Sequence, residues 1–109
     1  MAFDEQLASR IKATLGPGSG VVEKKMFGGV AYLINGNMAC GVHGNRMIVR
    51  IGPERYQDDL TKPHIHPFDL TGKPMAGWIV VDPLGISTGA DLNYWIDRGM
   101  EFVRTLPSK

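Results

Sequence analysis

Tyr32 and Arg50 are the pair of side chains best suited to hold another molecule. An arginine beside an aromatic ring can grip an anion or a planar group, because the guanidinium donates in its plane and stacks on its faces. Lys24, Lys25 and Arg46 would extend a basic rim around that pair, with Arg55 beyond, although Glu23, Glu54, Asp58 and Asp59 dilute it. The plainer alternative is an arginine whose stem lies along a sheet while its head reaches water. His64-x-His66 has a spacing from which two imidazoles reach one metal ion. Zinc needs three or four protein ligands, and neither Cys40 nor His43 is placed to supply a third. Pro63 and Pro67 mark the pair as a rigid loop, so no metal is expected.

Nucleophilic and phosphate chemistry have less support. Cys40 falls in an alternating apolar run, where a thiol is a small hydrophobe and its thiolate is disfavoured. Ser9, Ser19, Ser87 and Ser108 lie in no nucleophile elbow. The carboxylate pairs Asp4-Glu5 and Asp58-Asp59 sit in helical patterns, where adjacent residues diverge by about 100°. Gly16-x-Gly18-x-Gly20 follows a helix and precedes a strand, the reverse of the order that aims backbone N–H groups at an anion. The chain carries no catalytic or cofactor signature, and an enzyme is not expected.

The elements that must position these residues belong to one small chain. Its 109 residues, 43% of them apolar, suit a single domain over residues 1–109 with one core. A formal net charge of +1 provides no global field to draw it to nucleic acid or a membrane, so sequence-specific nucleic-acid binding is not expected. A lone Cys40 excludes an internal disulfide, and residues 1–6 show no signal-peptide pattern, so a cytoplasmic location is expected. Gly, Pro or charge interrupts each apolar run before the roughly 18 residues a membrane helix requires.

Periodicity sets the order of elements. Phe3, Leu7, Ile11 and Leu15 predict a first helix over Phe3 to Leu15, ended by the Gly16 to Gly20 linker. Asn35-Gly36 is a strong hairpin signal, since a type I′ turn needs positive φ at both central residues. With Gly44-Asn45 as a second two-residue turn, the expected pairs are Leu33 with Met38, Tyr32 with Ala39, Ala31 with Cys40, Cys40 with Val49, and Ala39 with Arg50. Opposed residues share a face. Ala31, Leu33, Met38, Cys40, Val42, Met47, Val49 and Ile51 then form the core face. Val30, Tyr32, Ala39, Gly41, Ile48 and Arg50 form the other, with Tyr32, Ala39 and Arg50 in one row. Pro53 to Leu60 reads as a short helix opened by proline. Lys62 to Pro67 breaks regular structure, Asp69 to Pro74 is a turn, and Met75 to Val81 is a further strand. A last helix starts at Ser87 or Thr88, where Thr88-x-x-Asp91 is close to a capping box. Its apolar stripe of Leu92, Trp95, Ile96, Gly99, Val103 and Leu106 runs up to Pro107.

Met26-Phe27-Gly28-Gly29 ahead of a strand, the Asn35-Gly36 hairpin, Arg50-Ile51-Gly52-Pro53-Glu54, Phe68 to Gly72, Met75 and Leu92-x-x-Trp95 with Leu106-Pro107 occur in an order that resembles the N-terminal domain of the TfoX/Sxy competence regulators. The resemblance runs from about Lys24 to the C-terminus. It implies a two-layer α+β fold, an antiparallel meander sheet with the N-terminal and C-terminal helices packed on one face, as the residue patterns also suggest. It implies a non-enzymatic regulatory or protein-interaction module, here expected to stand alone without the second, helical domain of the full-length regulators. The implied partner is a protein, with the transcriptional machinery a candidate because the family is thought to act with the cyclic-AMP receptor protein. The rival reading is a small-ligand or anion binder using the face around Tyr32 and Arg50. An uncovered meander edge would also let two copies pair as a homodimer.

Overall fold

The computed structural model describes residues 4–16, 20–26, 28–69 and 75–107. The expected positions of Phe3, of most of the glycine linker (17–19) and of the turn at 70–74 lie outside the described residues. Helix α1 spans Glu5–Leu15. The Asp4 carboxylate accepts from the backbone N–H groups of Gln6 (2.9 Å) and Leu7 (3.2 Å), satisfying two of the donors that a helix start leaves open. Leu7, Ala8 and Ile11 form its buried stripe.

Six strands follow: β1 (Val21–Met26), β2 (Gly29–Ile34), β3 (Asn37–His43), β4 (Arg46–Arg50), β5 (Ile65–Pro67) and β6 (Trp78–Val81). They form one sheet in the order β1-β2-β3-β4-β6-β5, and each neighbouring pair is antiparallel. Helix α2 (Pro53–Leu60), a short 3-10 helix (Pro83–Ile86) and helix α3 (Gly89–Val103) complete the fold. The Thr88 hydroxyl accepts from the Asp91 N–H at 3.1 Å and starts α3 where the capping pattern placed it. Two strands are new relative to the sequence reading. Val21–Met26 is a full edge strand, and Ile65–Pro67 is a short one despite its prolines. Pro67 is tolerated because β5 is the other edge, where a missing N–H breaks no ladder on the outer side.

Both hairpin turns form as expected. Asn35 and Gly36 have φ of 52° and 83°, and Ile34 pairs with Asn37 and Leu33 with Met38. On the second hairpin, His43 pairs with Arg46, Val42 with Met47 and Cys40 with Val49. Between them the register departs from expectation. Tyr32 pairs with Cys40 rather than Ala39, and Ala31 with Gly41 rather than Cys40, because Ala39 is an extra residue in a β-bulge. One extra residue exchanges the faces of everything beyond it on the partner strand. Val30 and Tyr32 therefore join Cys40, Val42, Met47 and Val49 in the main core. Ala31 and Leu33 turn to the opposite side with Gly41 and Met38.

The three helices seal one face. Leu7 and Ile11 of α1, Tyr56 of α2, and Leu92, Trp95 and Ile96 of α3 pack into the same cluster as Tyr32, Val49 and Ile79. Each large apolar side chain so buried contributes roughly 1.5–3 kcal/mol. At Gly99 α3 comes close to the sheet, since a Cβ there would stand 2.5 Å from the Ala39 carbonyl oxygen. The opposite face carries a much smaller cluster of Ile48, Phe68 and Val80, with Met38 and Trp78 packed against it.

Candidate binding site at the end of the fourth strand

β4 ends at Arg50, and the chain then turns through Gly52, whose φ of 88° and ψ of 157° suit only glycine. The Gly77 carbonyl accepts from the N–H groups of Ile51 (2.8 Å) and Gly52 (3.1 Å), tying the end of β4 to the start of β6. Arg50 and Trp78 face each other across that ladder. The Arg50 guanidinium carbon lies 5.1 Å from the centroid of the Trp78 ring and 5.5 Å from that of Phe102. Phe102 reaches the strand end from α3 because Gly52 lacks a side chain, as a Cβ at Gly52 would sit 2.5 Å from the ring.

Two aromatic rings thus hold a half-buried guanidinium. Among the described residues no carboxylate lies within ion-pair distance of Arg50, and it has no hydrogen-bond acceptor. Its in-plane N–H groups remain available, which is the arrangement that recognises an oxyanion edge-on. Beside it, between α2 and α3, lies a cleft of about 380 Å³ lined by Gly52, Glu54, Arg55, Glu101, Phe102 and Thr105. Arg55 and Glu101 pair across it at 2.8 Å.

Of the side chains expected to share a face with Arg50, Lys24 and Arg46 do, and Tyr32 and Lys25 do not. Tyr32 is buried on the helix side, and its hydroxyl donates to the Ala8 carbonyl at 3.0 Å. Burial first, and the nearby Glu23 carboxylate second, push its phenol above the ordinary range. The bulge at Ala39 is the physical reason Tyr32 leaves the Arg50 side. Lys24 and Lys25 separate onto opposite faces, Lys24 opposite Ala31 and Lys25 opposite Val30. Arg46 is on the Arg50 side, but its Nε lies 3.3 Å from Asp82 Oδ1, so its charge is matched. The other Asp82 oxygen is 2.5 Å from His66 Nε2. Among the described residues no group of three or more His, Cys, Asp or Glu could hold a metal ion. Cys40 is fully buried, and burial pushes its thiol up to about 12.

Trp78 and Phe102 are the site residues that sequence reasoning did not bring together with Arg50. The available signal was Phe102, an aromatic residue outside the apolar stripe of α3, together with a glycine two residues after the arginine. A second cluster also escaped. Asp59 is buried between α2 and α3, where its Oδ1 accepts from Lys62 Nζ (2.8 Å) and Arg98 NH2 (3.2 Å). Asp59 Oδ2 and Arg98 Nε have no partner, and these are the two atoms that would complete a side-on fork between the same groups. Burial pulls the Lys62 ammonium down, but hydrogen bonds with Asp59 and Tyr94 outweigh that and hold it above its ordinary value.

The family model described as the TfoX N-terminal domain matches residues 13–103. The chain belongs to this family. The match takes in the last turn of α1 as well as the sheet and α3, so it extends further toward the N-terminus than the motif resemblance did. No curated protein and no solved structure matches the chain at a significant level. In this TfoX N-terminal domain the glycines at 28 and 29 serve the turn into β2. Gly28 takes a φ of 74° and Gly29 opens the strand.

Proposed function

We propose that this TfoX N-terminal domain is a non-enzymatic regulatory module that binds a protein through the sheet face opposite its helices. One observation carries the reading, the contrast between the two faces. The first is closed by three helices over a continuous core. On the second, Val22 is 62% exposed, and Leu33, Met38 and Trp78 are only partly covered among the described residues. The ladder sets Val22 opposite Leu33 and Leu33 opposite Met38, so these form one apolar row across three strands. Lys24 borders the row at one side, and Arg50 stands on the same face on β4. An apolar strip with an aromatic and an arginine at its margin is the composition of protein-recognition surfaces. Family membership supports a regulatory role for that contact.

A photo-cross-linking residue at Leu33, used in cells producing the protein, tests the reading. A discrete adduct with one protein is expected from that position and not from Asp97 on the exposed side of α3. Adducts of equal yield from both positions, or none from Leu33, would overturn it. The small-ligand alternative draws on the cleft between α2 and α3. It predicts a molecule retained in native mass spectrometry and no adduct.

A further inference from the structure

We propose that Arg50, clamped between Trp78 and Phe102, is a receptor for a carboxylate carried on an apolar segment of the partner protein. This inference rests on the protein-binding reading above and adds the chemistry of the partner.

The argument begins with charge. Four cations around the strand end and its helices are matched: Arg46 with Asp82, Arg55 with Glu101, and Arg98 and Lys62 with Asp59. Arg50, like Arg10 and Arg104, pairs with no carboxylate among the described residues, and of these three it is the one held against aromatic rings. One unmatched positive charge suits one carboxylate, whereas a phosphate dianion would call for further cations. Orientation is also settled in advance. The rings of Trp78 and Phe102, at 5.1 and 5.5 Å, cover the guanidinium and limit the conformations it can take. Much of the side-chain entropy that a free arginine loses on binding is therefore already lost in the unbound domain. The fork that remains matches the two oxygens of a carboxylate.

The surroundings decide what carries that carboxylate. Met38 and Trp78 are both partly exposed and pack on the small Ile48 cluster, and the row through Leu33 to Val22 continues away from the arginine. A free carboxylic acid would leave this row uncovered. A chain segment with apolar residues flanking an Asp or Glu would cover it and place its charge on Arg50, in the hot-spot pattern of an arginine beside buried aromatic anchors.

The test uses the full chain and nuclear magnetic resonance of the Arg50 Nε–H and Trp78 indole N–H groups. The probes are N-acetyl-Leu-Glu-Leu-amide, its Leu-Gln-Leu counterpart and inorganic phosphate. The glutamate peptide is expected to shift both signals saturably, with the glutamine peptide weaker by about tenfold or more, as loss of a charge-assisted bond requires. Arg50→Lys keeps the charge but not the fork, and is expected to weaken the glutamate peptide by a similar factor with the spectrum otherwise folded. Equal binding of the two peptides, no saturable shift, undiminished binding by Arg50→Lys, or tighter binding of phosphate would each overturn the proposal. Failure of the peptide effect with the Leu33 adduct retained overturns the receptor but leaves the protein-binding reading standing. The reverse outcome overturns the reading and leaves the receptor.

Discussion

Gly99 of α3 lies directly against the backbone of Ala39, the bulged residue of β3. A Cβ added at Gly99 would meet the Ala39 carbonyl oxygen at 2.5 Å and its carbon at 3.2 Å. Helix and bulged backbone are in close contact here, and only a residue without a side chain leaves room for it. Gly99→Ala should therefore destabilise the domain, although helix propensity alone would favour alanine by about 1 kcal/mol. A net loss of about 1–3 kcal/mol is expected, as for other overpacked sites, and chemical denaturation measures it. A gain in stability would show that α3 does not rest on the bulge.

Tyr32→Phe separates the two placements of this side chain. On the helix side the hydroxyl donates to the Ala8 carbonyl, and its loss should cost about 0.5–1.5 kcal/mol while leaving peptide binding at Arg50 unchanged. A tyrosine on the Arg50 face would give the opposite pattern, with unchanged stability and weakened binding.

Asp59→Ala should be among the most damaging single substitutions. It removes the carboxylate that two cations share in a buried site and leaves the Arg98 guanidinium uncompensated. A loss of about 3–5 kcal/mol is expected from urea unfolding. The double variant Asp59→Ala/Arg98→Met should recover part of that loss, since it removes the stranded charge too.

Stability should fall on the alkaline side. The Cys40 thiol ordinarily ionises at 9.0, and burial pushes it up to about 12 in the folded domain. Between those values the folded state holds a proton that the unfolded chain has lost. The stability this proton confers is complete below pH 9.0 and drains away as pH rises toward about 12. The slope from this one group is at most about 1.4 kcal/mol per pH unit. Tyr32 and Lys62, both raised in the folded state, act in the same direction at higher pH. Melting curves of wild type and Cys40→Ala from pH 8 to pH 10 should converge as pH rises. Parallel curves would mean that the thiol ionises as freely in the folded domain as in the unfolded chain.

Labelling provides an independent check on Cys40. It is fully buried on the helix side, so a thiol reagent should modify it far more slowly in buffer than in denaturant. Equal rates would place the thiol at the surface.

Local chemistry alone determined a good deal of this protein. The hairpin turn at Asn35-Gly36 forms because positive φ at two successive residues requires such a pair, and Thr88 caps α3 because its hydroxyl reaches Asp91. The pairings of Leu33 with Met38, Val42 with Met47 and Cys40 with Val49 follow from those turns, as does the burial of Cys40. Family membership was also legible, because it lies in ordered motifs along the chain. The bulge at Ala39 was not. It lies where α3 approaches through Gly99, a contact between residues 60 positions apart that no local pattern encodes. That one inserted residue moved Tyr32 into the core and set Leu33 on the open face with Arg50. The aromatic clamp is likewise a product of tertiary structure, since Arg50, Trp78 and Phe102 come from β4, β6 and α3 and meet only when Gly52 lets the helix close on the strand end. Turns and caps depend on neighbours in sequence, whereas the face a strand presents depends on what packs against it.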